Sequence, residues 1–102
     1  MRALVLALAL PCLACGAQPA PVMWGADRFE TTVDGRRYVV FRKDDTVEVI
    51  RLGLARPGEH RAIRAAMIDL AQRMTGCSLV ASTMAGDSGE MRGRLTCPET
   101  AR

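Results

Sequence analysis

Four cysteines, one histidine, three serines and six methionines are the residues from which this chain could build chemistry. Cys12 and Cys15 have the C-x-x-C spacing of a redox or metal pair, but such a pair works from a folded strand-to-helix turn. These two follow the apolar run Ala3 to Leu10 directly, so that reading is rejected. A zinc site needs several ligands at set spacing, and His60 is the sole histidine, read as a surface or boundary residue. Ser78, Ser82 and Ser88 lie outside any G-x-S-x-G elbow. Asp44 and Asp45 are neighbours in a turn, where carboxylates bond the local backbone, whereas paired-carboxylate hydrolysis needs two acids facing each other across a cleft. Met67, Met74, Met84 and Met91 offer soft sulfur that copper could use, yet they form no local cluster and flexible core filling accounts for them. No glycine-rich phosphate loop is present. The inventory predicts no catalytic centre, no metal and no cofactor.

The cysteines also report an address. Arg2, the short apolar run and Pro11-Cys12-Leu13-Ala14-Cys15-Gly16-Ala17 make a charged region, a hydrophobic region and a small-residue cleavage zone, the pattern of a secretory signal. The apolar run is too short to span a bilayer, which takes about 20 residues. Its ending, Leu13-Ala14-Cys15, resembles the lipobox of bacterial lipoprotein signals, with Cys12 where that motif usually carries leucine. The resemblance covers the signal alone. It implies cleavage before Cys15, lipidation of that cysteine and a module tethered to a membrane face. Gly16 is not the aspartate that often marks inner-membrane retention in such lipoproteins, which favours the outer membrane. The alternative is an ordinary signal cleaved after Gly16 or Ala17, releasing a soluble protein.

Composition agrees with a bacterial envelope. Thirteen arginines against one lysine, Lys43, and no asparagine suggest a GC-rich genome and leave no N-glycosylation sequon. Cleavage before Cys15 leaves 88 of the 102 residues and lowers the formal charge from +3 to +2. That charge is too small for the basic stripe of a nucleic-acid binder. Between Arg36 and Arg64 eight basic residues meet four acidic ones, read as a solvated surface with a weaker attraction to anionic lipid or cell-wall polymer as the functional reading.

A domain this small needs a staple. Cys77 and Cys97 are the cysteines outside the signal, and two thiols in an oxidising compartment pair. Their midpoint is Asp87, within the turn-rich Ala85-Gly86-Asp87-Ser88-Gly89. Folding the chain there sets Cys77 opposite Cys97, Leu79 opposite Leu95, Ala81 opposite Gly93 and Thr83 opposite Met91 on an apolar face. The other face takes Ser78/Thr96, Val80/Arg94, Ser82/Arg92 and Met84/Glu90.

The remaining elements follow from periodicity. Residues 28–33 alternate, Asp34-Gly35 is a hairpin signal, residues 36–42 return, Lys43-Asp44-Asp45 turns again, and residues 46–52 form a third strand. After a loop at 53–58, a helix opening at Pro57 or Gly58 carries Ile63, Ala66, Met67, Leu70, Ala71 and Met74 on one stripe and ends at Gly76. The fold class is α+β, a two-layer antiparallel sheet in βββ-α-ββ order with one helix packed on it. Whether the last hairpin joins the first three strands stays open. The expected organisation is 1–14 signal peptide, 15–21 lipidated cysteine and proline-rich spacer, and 22–102 a single globular domain.

Strand two, with Tyr38-Val39-Val40-Phe41, is apolar on both faces, but one helix covers only one side of a sheet. Val22-Met23-Trp24, acting as a clasp, or a partner must cover the other. The candidate binding surface is therefore Trp24, Tyr38 and Phe41, together with Asp87 at the hairpin tip. The functional expectation is a non-enzymatic envelope lipoprotein, an accessory or adaptor with a membrane anchor and an envelope protein partner. The alternative is a secreted soluble binder or enzyme inhibitor.

Overall fold

The computed structural model describes residues 18–99. The signal, Cys12 and the lipidation candidate Cys15 lie outside the described residues. A 3₁₀ turn at Pro21–Met23 leads into β1 (Asp27–Val33), β2 (Arg36–Lys43), β3 (Thr46–Arg51), α1 (His60–Thr75), β4 (Ser78–Gly86) and β5 (Glu90–Thr96). All five strands form one antiparallel sheet in the order β1-β2-β3-β5-β4. The last hairpin thus joins the first three strands, through β5 against β3, and α1 carries the chain out to the edge position of β4.

Local chemistry sets the turns. Asp34 and Gly35 both take positive φ, 50° and 75°, the geometry of a two-residue turn whose twist matches its flanking strands. Asp44 does the same at φ 54° between β2 and β3, a conformation aspartate tolerates better than most residues. The helix begins at His60, two to three residues later than its sequence signal suggests. Its N-cap is Glu59, whose Oε1 accepts from the Arg56 amide at 2.7 Å. Gly76, in the left-handed region at φ 73°, ends the helix by donating its amide to the Gln72 carbonyl.

Two arginines of β2 clamp both ends of the helix. Arg36 Nη2 donates to Glu59 Oε2 at 2.7 Å, and Arg42 Nη1 donates to the Thr75 carbonyl at 3.2 Å. The second contact sets a cation at the negative end of the helix dipole. Between the clamps Ile63, Met67, Leu70 and Ala71 pack on Tyr38, Val40, Val47, Val49, Met91 and Leu95. Met74 and Met84 pack against the same cluster, so the four methionines considered for copper all belong to the helix-side core.

Cys77 and Cys97 form a disulfide with a Cα separation of 4.4 Å. The hairpin above it keeps the expected register for Ser78↔Thr96, Leu79↔Leu95 and Val80↔Arg94, then slips. Ala85 faces Arg92 and Gly86 faces Met91, so the expected pairs from Ala81/Gly93 to Met84/Glu90 do not form. The physical reason is a side-chain substitute for the ladder. Thr83 Oγ1 donates to the Val80 carbonyl at 2.6 Å and accepts the Arg94 amide at 2.9 Å. Gly93, bare of a side chain, leaves room for Leu79 and Met84. The bulge turns Met84 into the core rather than onto the polar face. Asp87 then accepts the amides of Gly89 and Glu90 and closes a short tip.

Candidate functional site

The alternation of β2 and β3 builds a second, smaller core on the helix-free face. Tyr38 and Val40 point to the helix, so Val39 and Phe41 point away, where they bury Met23 with Ala26, Ile50 and Leu52 around it. In β3 the same parity sends Val47 and Val49 to the helix and Glu48 to this opposite face. Residues 20–26 lie across the face as a strap. Met23 is fully buried beneath it, while Val22 and Trp24 are 62% and 67% exposed. The clasp is therefore Met23, and the tryptophan expected to pack stands out in solvent. Lys43 Nζ donates to the Trp24 carbonyl at 3.1 Å and holds the strap's far end.

Glu48 is the unusual group here. It is 2% exposed, and its Oε1 accepts the Ala20 amide at 3.0 Å. Arg92 stands across the sheet, its Nε 4.0 Å from Glu48 Oε2 and 3.0 Å from Glu90 Oε2. Burial, then the hydrogen bond that the protonated Glu48 carboxyl donates to the neighbouring Glu90 carboxylate, pushes Glu48 up to about 7. The Ala20 amide and Arg92 oppose that rise. In the unfolded chain Glu48 titrates near its ordinary 4.5. Between there and about 7 the folded chain holds a proton that the unfolded chain does not, so stability falls as pH rises across that window. Denaturant titrations at pH 5 and pH 8 are expected to differ by about 1–2 kcal/mol, a figure reduced by solvent around half-exposed Arg92. Glu48→Gln, which keeps the acceptor for Ala20, should flatten this dependence. An unchanged slope in that variant would show that another group is responsible.

Charge rims the strap. Glu30 is paired with Arg28 and Arg37, and those guanidiniums, Arg37 first, hold its carboxyl below the usual carboxylate range. Strand parity puts Arg28, Glu30 and Arg37 on the strap face with Lys43, Glu48, Glu90, Arg92 and Arg94. Val22 borders a shallow cleft of about 270 Å³ with Thr46, Arg92 and Arg94.

The candidate surface residues read from sequence do not share one surface. Trp24 is exposed, but Tyr38 lies in the helix-side core and Phe41 under the strap, at 0% and 4% exposure. Asp87 sits at the hairpin tip, its carboxyl lowered by the Gly89 and Glu90 amides that it accepts. Beyond the clasp residues, this face also holds Lys43, Glu48 and Arg92, which the sequence reading does not place there. The available signal was the parity of β3, which sets one acid between two valines and therefore on the face opposite the helix. No family model, curated protein or solved structure matches this chain.

Among the described residues, catalytic geometry is most nearly approached at the tip. His60 Nδ1 lies 2.5 Å from Ser88 Oγ, the contact by which a base activates a hydroxyl. The acid beside this pair, Asp87, is committed to the tip's own amides. Arg51 Nη1 donates to the Ser88 carbonyl at 2.9 Å. These bonds moor the tip to the start of α1 and to the end of β3. An open groove of about 850 Å³ runs between residues 34–37 and 52–59. Its Arg36 is already paired with Glu59.

Proposed function

We propose that this chain is a lipid-anchored module of the bacterial cell envelope, held through Cys15 and acting as a non-catalytic accessory or adaptor. The observation that carries the reading is the short path from that cysteine to a docked strap. Ala20 is fastened to Glu48 only five residues beyond Cys15, and five residues reach about 17 Å at most. A signal ending in Leu13-Ala14-Cys15 and a stapled domain joined to it by so short a tether suit a function exercised beside a membrane. The residue after Cys15, Gly16, favours the outer membrane facing the periplasm.

The test is intact mass and fractionation of the mature protein from bacterial envelopes. A chain starting at Cys15 with added acyl mass is expected, and Cys15→Ser should move the folded protein to the soluble fraction. An unmodified chain starting after Gly16 or Ala17 would replace the anchor by the alternative, a secreted soluble binder or inhibitor. A gain of two mass units on reduction reports the Cys77–Cys97 bridge in either case.

A further inference from the structure

We infer that the strap face of the sheet rests on an anionic phospholipid surface, with Trp24 and Val22 entering the headgroup layer and Lys43, Arg92 and Arg94 facing lipid phosphates. This rests on the anchor proposed above and adds to it an orientation. Three independent observations meet on this face.

The first is reach. Ala20 is pinned to Glu48 and Met23 is buried on Val39 and Phe41, so the chain leaves the domain from the strap face. An acylated Cys15 no more than about 17 Å from Ala20 keeps that face beside the bilayer. Turning the helix toward the lipid would require a tether that runs around the sheet, or a strap that peels away from Met23's pocket.

The second is the placement of apolar surface. The exposed large apolar side chains among the described residues are Val22, Trp24 and Leu54, and the first two belong to the strap. Tryptophan is enriched at membrane–water interfaces, where its ring sits at headgroup depth. A largely exposed tryptophan flanking a buried methionine is unfavourable in water and well placed at such a boundary.

The third is charge. Arg28, Arg37, Lys43, Arg92 and Arg94 share the strap face with Glu30, Glu48 and Glu90. Of the three acids Glu48 is buried, Glu30 is engaged by Arg28 and Arg37, and Glu90 is paired with Arg92, which leaves Lys43 and Arg94 as the cations of this face outside these ion pairs. The solvent-facing balance is positive, which complements anionic headgroups within a Debye length. Val22, Arg92 and Arg94 also border one shallow cleft, so apolar and cationic contacts adjoin.

Trp24 is the sole tryptophan, so its fluorescence reports on this face alone. The purified mature protein, its acyl mass first verified, is reconstituted into vesicles of phosphatidylcholine with or without 30% phosphatidylglycerol. In the anionic vesicles Trp24 emission should shift to the blue, acrylamide quenching should fall about threefold relative to water, and phospholipids brominated on their acyl chains should quench it. Arg92→Gln with Arg94→Gln should return the emission toward that in neutral vesicles while the protein stays anchored. An acylated protein whose Trp24 is as open to acrylamide on vesicles as in water would overturn the orientation and leave the anchor standing. Shielding in native envelopes but not in protein-free vesicles would also overturn it, because a protein then covers the face. An unacylated mature chain overturns the anchor and the orientation together.

Discussion

Removing the Cys77–Cys97 bridge by a double alanine substitution is expected to lower stability by about 3 kcal/mol. The bridge closes a 20-residue separation, and restricting a loop of that size in the unfolded chain is worth about that much. For a domain of this length the loss corresponds to a melting point lower by roughly 12–24 °C. The native state contributes too. Cys77 is buried in the helix-side core, and Cys97 Sγ accepts from Arg42 Nη2 at 3.3 Å, the same guanidinium that holds the helix C-terminus through the Thr75 carbonyl. The bulge makes the staple more important, because the β4–β5 ladder is regular only from Ser78 to Val80 before it slips. Thermal unfolding followed by circular dichroism checks the effect. A melting point within a few degrees of the parent would mean that the ladder and the Arg42 clamp hold the hairpin base unaided.

The second large effect distinguishes the two cores. Met67→Ala should cost about 2–5 kcal/mol, because Met67 is fully buried between α1 and the sheet and neither layer can close the cavity without moving the other. Met23 is equally buried, yet Met23→Ala should cost the global fold less, about 1–2 kcal/mol. Apart from Met23 itself, its strap is held by the Ala20–Glu48 and Lys43–Trp24 contacts and can lift while the five strands stay paired. Urea unfolding gives the global costs, and hydrogen exchange shows where opening occurs. Met23→Ala should raise exchange at Ala20 to Ala26 selectively, whereas Met67→Ala should raise it across the sheet. Equal global losses in both variants would make the strap an integral part of the core.

Much of the architecture was legible because it is written in local periodicity. Strand alternation, the Asp34-Gly35 turn, the helical stripe from Ile63 to Ala71 and Gly76 after it all act over a few residues. The disulfide was legible because Cys77 and Cys97 are symmetric about a turn, and the first three pairs above it follow that symmetry. The slip beyond Val80 was not, since it depends on Thr83 replacing ladder bonds and on the space over Gly93, which only the packed hairpin defines. Helix onset was displaced for a similar reason. Pro57 and Gly58 suit a helix start, but Arg36 of β2 recruits Glu59 and places the cap there.

The strap face shows the same division most clearly. Side chains alternate along a strand, so the residue pattern of strand two already requires burial on both sides, and one helix cannot cover both. The sequence also makes the segment around Met23 available to cover the second side. Which of Val22, Met23 and Trp24 turns inward depends on packing, since the 3₁₀ turn buries one side chain against Phe41 and leaves its neighbours outside. Folding likewise brings Glu48 under Ala20 and beside Arg92 and Glu90, residues far apart in the chain. The physical reason is that burial and charge pairing are properties of neighbours in space, whereas a sequence specifies directly only its neighbours along the chain.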